Sequence, residues 1–364
     1  MLSTFFYAVW LVSVAVERSI QLGSLAALVL MVPVTLLAFP LGWLSDLIGR
    51  RAVLVGAIAC NIVVVVSPVL SGHMSTGWLL VALFLTGVSN AAWSAVGVAN
   101  AIDSVNDRSR LAAHPQIVVL GFGIDGGKLA GAGVLVLAET ANSLPVRAIA
   151  MVLLLAMVIG AAVRVVPSTR RVLATTTRSG KYVWWLMCAF AGALAVQELS
   201  GTQQAGMVAI AGIVSSHGAA ASNFAWVLGA LLGNGLLWIK APLSTRYVPA
   251  SFVVYGVGFA LLAGGGVLAV MGIFLNGLGA ALLWQTVRAT VIRDFPERYR
   301  GRFSGMLTAV ENAAMAIGVA LILNVAVVDG YTVTFMGAAA LTLIAIIPVV
   351  LVLRILPSQS RGIG

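Results

Sequence analysis

Asp125 and Lys128 stand three residues apart near the middle of an apolar stretch, residues 115–138. On a helix that spacing puts both side chains on one face. A charge at the centre of a bilayer costs about 2.5–3.5 kcal/mol on insertion scales, so each one in such a stretch is a functional candidate by default. As a pair they would neutralise each other and offset part of that cost. Two readings are open: a structural ion pair that fixes helix packing, or a coupling site in which Asp125 takes a proton and releases Lys128 to a substrate anion. Glu198 sits mid-span amid Gln197, Ser200, Thr202, Gln203 and Gln204, with no basic residue within four positions. A carboxyl so placed, in low dielectric among polar neighbours, suits a proton carrier facing a cavity. Glu311, beside Asn312, either faces the same cavity or reaches toward the helix end to meet a loop arginine.

The elements that must hold these groups are helices that cross a membrane. The chain has 364 residues, 61% hydrophobic and 9% charged, far from soluble usage. A span takes about 20 apolar residues, so the length accommodates about twelve. The apolar runs are about 2–16, 22–44, 52–71, 77–101, 115–138, 147–166, 183–212, 219–239, 248–263, 266–290, 303–327 and 332–353. The first is short and reads as a helix missing its N-terminal part, without the basic leader and small-residue cleavage site of a signal peptide. Pro33 and Pro40 lie inside the second, which membrane helices tolerate where neighbours satisfy the freed carbonyls.

The net charge of +10 could point to a nucleic-acid partner, but the basic residues recur in every second loop instead of gathering on one face. With the N-terminus inside, the inner segments collect 16 Lys and Arg against 2 outside. By the positive-inside rule both termini are cytoplasmic. Cys60 and Cys188 fall inside apolar runs with no disulfide or metal-ligand spacing, so no metal site or cofactor is expected.

Between the second and third runs stands Gly42-Trp43-Leu44-Ser45-Asp46-Leu47-Ile48-Gly49-Arg50-Arg51. Gly42 and Gly49 would permit a tight turn, Asp46 supplies a fixed negative charge, and Arg50 and Arg51 mark the cytoplasmic side. The pattern G-x-L-x-D-x-x-G-R-R resembles the signature loop between helices two and three of the major facilitator superfamily. That family usually has Arg directly after the Asp, where this chain has Leu47. The glycines of helix five, with Gly123, Gly127 and Gly131 at every fourth position, resemble the motif G-x-x-x-G-P-x-x-G-G of the family's drug–proton antiporters. Here Lys128 stands in place of the Pro and Ala132 in place of the last Gly.

The resemblance implies an all-α transporter fold of about twelve helices in two pseudo-symmetric six-helix bundles. The corresponding boundaries are 1–166, a basic cytoplasmic linker 167–181, a second bundle 182–353 and a tail 354–364. It also implies that Asp46 latches the cytoplasmic side, meeting the N-terminal end of helix eleven near Phe303 and Ser304, or Arg298 and Arg300 across the halves. The family's helix-four arginine has no equivalent, since residues 77–101 contain no Arg. A repeat supports the two halves: Asp107-Arg108-Ser109-Arg110 matches Glu297-Arg298-Tyr299-Arg300 at an offset of 297 − 107 = 190 residues. The implied function is secondary transport of a small molecule across a bacterial plasma membrane, with proton-coupled efflux first and metabolite uptake second. Other classes lack their chemistry. An intramembrane enzyme needs clustered acids, a His-Glu-x-x-His helix or a Ser/His pair at depth, and His73, His114 and His217 all lie near span ends. A receptor on a transporter fold would carry an added soluble domain, and no phosphate-binding G-x-x-x-x-G-K-[ST] occurs.

Overall fold

The computed structural model describes residues 11, 15, 20–71, 75–103, 118, 121–127, 218–239, 247–287, 299–347 and 350. Among them the chain is helical, with no strand. In the first part α1 is Ile20–Ile48, α2 is Arg50–Ser71 and α3 is Thr76–Ala92. A π turn, Trp93–Gly97, carries α3 on into α4, Val98–Asp103. Residues 121–127 form a further helical stretch. In the second part α5 is Gly218–Ile239, α6 Tyr247–Leu262, α7 Gly266–Val287, α8 Arg300–Asp329 and α9 Tyr331–Ile344. Stretches of 21, 25 and 21 residues in α1, α3–α4 and α7 are long and apolar enough to cross a membrane. Twenty-one residues at 1.5 Å each reach about 31 Å, the thickness of the hydrocarbon layer.

The segment expected as a turn is mostly helix. α1 runs on through Gly42 and Asp46 to Ile48, and Gly49 alone separates it from α2. Gly49 has φ 99° and its N–H bonds to the Ser45 carbonyl at 3.1 Å, the αL helix ending that glycine adopts without steric cost. Gly42 therefore does not loosen the backbone. It lies where α1 and α8 nearly touch, and a Cβ there would collide with the Gly301 carbonyl.

The packing of α1 on α3 and of α2 on α3 is repeated by α5 on α7 and α6 on α7. Thr76 and Gly266, which begin α3 and α7, are 266 − 76 = 190 residues apart, the same offset as the sequence repeat. Each half has its own core. Val34 and Ala38 of α1, Val53, Leu54 and Ala57 of α2, and Ala91, Ala92, Ala95 and Val96 form one. Trp226, Tyr255, Phe259, Ile273 and Phe335 anchor the other, joining α5, α6, α7 and α9. Between apolar helices in lipid, burial supplies little drive, so close van der Waals fit has to. Gly229 and Gly277 show it, lying against the backbone of α7 and α5 respectively, with no room for a side chain. Outward faces stay apolar, as Leu36, Phe39, Val257, Met271 and Ile344 illustrate.

Among the described residues, two seams join the halves. α8 lies along α1 and the π turn. On the other side Val118 and Phe122 pack with Leu237 of α5 and Leu282 of α7.

Candidate functional site

The first seam closes on Asp46. Its side chain is 1% exposed and receives donors from both halves. Within its own half, Arg50 Nη1 donates to Oδ1 at 2.5 Å and to Ser45 Oγ at 2.8 Å. The Ser45 hydroxyl in turn donates to the Gly42 carbonyl at 2.7 Å. From the other half, the backbone N–H groups of Gly301 and Arg302 donate to Oδ1 at 3.1 Å and Oδ2 at 2.9 Å. These are first-turn amides of α8, which have no partner inside their own helix. The carboxylate thus sits at the positive end of a 30-residue helix, the placement that an anion favours. Arg302 Nε lies 3.7 Å from Oδ2, a Coulombic contact too long for a hydrogen bond. Its guanidinium carbon lies 5.4 Å from the Tyr299 ring centre, within cation–π range.

Such closeness needs small residues on both sides. A Cβ on Gly301 would strike Arg50 Nη1, the Gly42 carbonyl and Asp46 Oδ1, and one on Gly305 would strike the Ala38 carbonyl. One turn further along α8, the Ser304 hydroxyl reaches the Ser94 carbonyl in the π turn at 3.4 Å. A π turn breaks the regular ladder of its helix, and such turns recur at functional sites.

The second seam holds a buried polar chain. Asn234 Nδ2 of α5 donates to Asp125 Oδ2 at 2.7 Å. Gln285 Nε2 of α7 donates to Asn234 Oδ1 at 3.1 Å. Asp125, Asn234 and Gln285 are all buried. Glu311 is buried on α8. It shares a face with Ser304 and Thr308 at helical spacing, the face turned toward the π turn.

The sequence candidates therefore separate. Asp46, Gly42, Gly49 and Arg50 form one cluster, while Arg51 is exposed on α2. Arg300 begins α8, and two residues on the Arg302 side chain lies 3.7 Å from Asp46. Asp125 lies at the second seam. Lys128, Glu198 and Arg298 fall outside the described residues. Asn234, Gln285 and Arg302 were not singled out from sequence. Their signal was available: Asn234 and Gln285 are amides in otherwise apolar runs, where an unpaired amide costs free energy much as a charge does.

No protein-family model matches the sequence, and no curated protein matches it. Solved structures do match its fold. The human organic anion transporter MFSD10 (TETRAN) aligns at TM-score 0.74 and 17% identity, over 90% of this chain and 83% of that one. The proton:xylose symporter XylE aligns at TM-score 0.77 and 11% identity, over 98% and 94%. The E. coli fucose:proton symporter FucP aligns at TM-score 0.64 and 11% identity, over 96% and 97%. The chain has the fold of the major facilitator superfamily transporters.

Proposed function

We propose that the protein is a secondary transporter that moves a small molecule across the membrane by alternating access. The observation that carries this reading is the Asp46 contact. It ties the end of α1 to the first turn of α8 by bonds that cross between the halves and that must break if the halves part at that end. With the basic loops inside, that end is cytoplasmic, and the conformation described is closed to the cytoplasm. Residues 1–166 and 182–353 are the rocking halves, 167–181 the cytoplasmic linker and 354–364 a cytoplasmic tail. The membrane is the bacterial plasma membrane.

Proton-coupled efflux is the first reading within this class, with Asp125, Lys128, Glu198 and Glu311 as coupling candidates. It draws on the carboxyls at membrane depth and on the glycine pattern of helix five. Uptake by symport is the second, because two of the matched structures are described as proton symporters. Purified protein in liposomes, screened against a panel of labelled metabolites and drugs under an imposed pH gradient, tests both. Substrate-dependent proton movement is expected, its direction separates export from uptake, and Glu198→Gln should abolish it while leaving exchange across the membrane intact. Substrate flux that ignores the pH gradient in both directions would refute proton coupling.

A further inference from the structure

The 190-residue repeat places Asn234 at the position equivalent to Leu44 (234 − 190 = 44), about one half-turn from Asp46. The two seams are thus related by pseudo-symmetry, but their chemistry is reversed. At the first, the helix ending near this position supplies the acid and the facing helix supplies the donors. At the second, α5 supplies the donor, Asn234 Nδ2, and the facing stretch 121–127 supplies the acid, Asp125.

We propose that Asn234 and Gln285 act with Asp125 as a second clasp between the halves, in which Gln285 is the positioning residue that holds the Asn234 amide the right way round. An asparagine amide turned by 180° would present its oxygen to Asp125 instead of its nitrogen, and two acceptors face to face repel. Gln285 Nε2 donates to Asn234 Oδ1, which fixes the oxygen toward α7 and the NH2 toward Asp125. Gln285 Oε1 takes no bond among the described residues, so this side chain serves the chain through its donor. Gly121 completes the arrangement: a Cβ there would collide with Gln285 Nε2 and Asn234 Oδ1, so only glycine lets helix five close over the pair. α5 and α7 contribute no charged side chain within their described spans. From α5 the carboxylate meets the neutral Asn234 amide, which α7 orients through Gln285, in a low-dielectric seam where such bonds gain strength.

This inference rests on the alternating-access reading, and one experiment separates the two. In a chain with Cys60 and Cys188 replaced by Ser, spin labels at Ile48→Cys and Ile239→Cys report the distance between the halves at this end. Both positions are exposed, at 57% and 78%. Asp125→Ala and Asn234→Asp should each raise the longer-distance population at least tenfold relative to the parent, and Gln285→Leu about threefold. Gly121→Val should act as a wedge with the same sign. The exchange Asp125→Asn with Asn234→Asp restores one acid facing one amide across the seam, with the acid still placed to accept from Gln285, and should return the ratio to within twofold of the parent. A merely structural role would not be rescued in that way. If Asp125→Ala fails to fold, the Asn234→Asp and double-exchange pair carries the test alone. If Asp46→Ala lengthens the distance while the Asp125 and Asn234 variants leave it within twofold, or if the exchange does not rescue, the clasp is wrong and the transport reading stands. A single distance in every variant, Asp46→Ala included, would overturn both.

Discussion

Asp46→Asn removes one charge with little change in shape, and its cost can be worked from the bonds at the first seam. Arg50 binds Asp46 from within the same half, so that bond survives when the halves part and does not weigh on the open–closed balance. The Gly301 and Arg302 amide bonds do. A hydrogen bond to a charged group contributes about 1.5–3 kcal/mol and a neutral one about 0.5–1.5. In the Asp46→Asn variant the side-chain carbonyl oxygen keeps one amide bond in neutral form, a loss of about 1 kcal/mol on the same scale. The new NH2 faces the other amide as donor against donor, losing about 1.5–3 kcal/mol. The Arg302 side chain is 36% exposed, so its 3.7 Å pairing adds under about 1 kcal/mol after screening. The sum is about 2.5–5 kcal/mol, or about two to three and a half powers of ten in the ratio of open to closed forms. Ser304, with no exposed surface, reports the opening. With Cys60 and Cys188 replaced, the rate at which N-ethylmaleimide modifies Ser304→Cys follows the open population. It should rise about a hundredfold or more on adding Asp46→Asn. A rise below threefold would refute the assignment of Asp46 as the tie between the halves.

Gly301→Ala should act on the same seam by steric means, since its Cβ meets Arg50 Nη1, the Gly42 carbonyl and Asp46 Oδ1. The same thiol rate should rise at least tenfold, and an unchanged rate would show that the helices have slack. Gly49→Ala strains the φ 99° joint by about 1–2 kcal/mol. The thermal unfolding midpoint should fall by a few degrees with no change in the thiol rate, and a midpoint at or above the parent's would count against the single-residue hinge. Glu311→Gln keeps volume and removes the buried carboxyl. If Glu311 couples transport, gradient-driven accumulation in liposomes should be lost while exchange of substrate persists; undiminished accumulation would assign it a packing role.

Much of the architecture was legible one segment at a time. Run length and apolar content located each of the described spans, because a helix satisfies its own backbone and its length is set by the bilayer. Offsets of matching loops revealed the repeat that α3 and α7 obey. Gly49 marked the break between α1 and α2, and the acid placed just before it needed a partner of opposite sign. The same local reading mistook Gly42, since a glycine that admits a neighbouring helix and one that bends the chain look alike in sequence.

What the fold alone decided is which groups meet. Asp46 takes its cross-half donors from residues 255 and 256 positions away, and Asp125 from one 109 away. In a soluble helix the polar and apolar stripes announce the buried face, but here the outward face is as apolar as the core because lipid covers it. With that contrast gone, a lone Asn or Gln carries no mark of its facing direction. Only the placement of α5, α7 and α8 against the first half turns Asn234, Gln285 and the amides of Gly301 and Arg302 into partners of two aspartates.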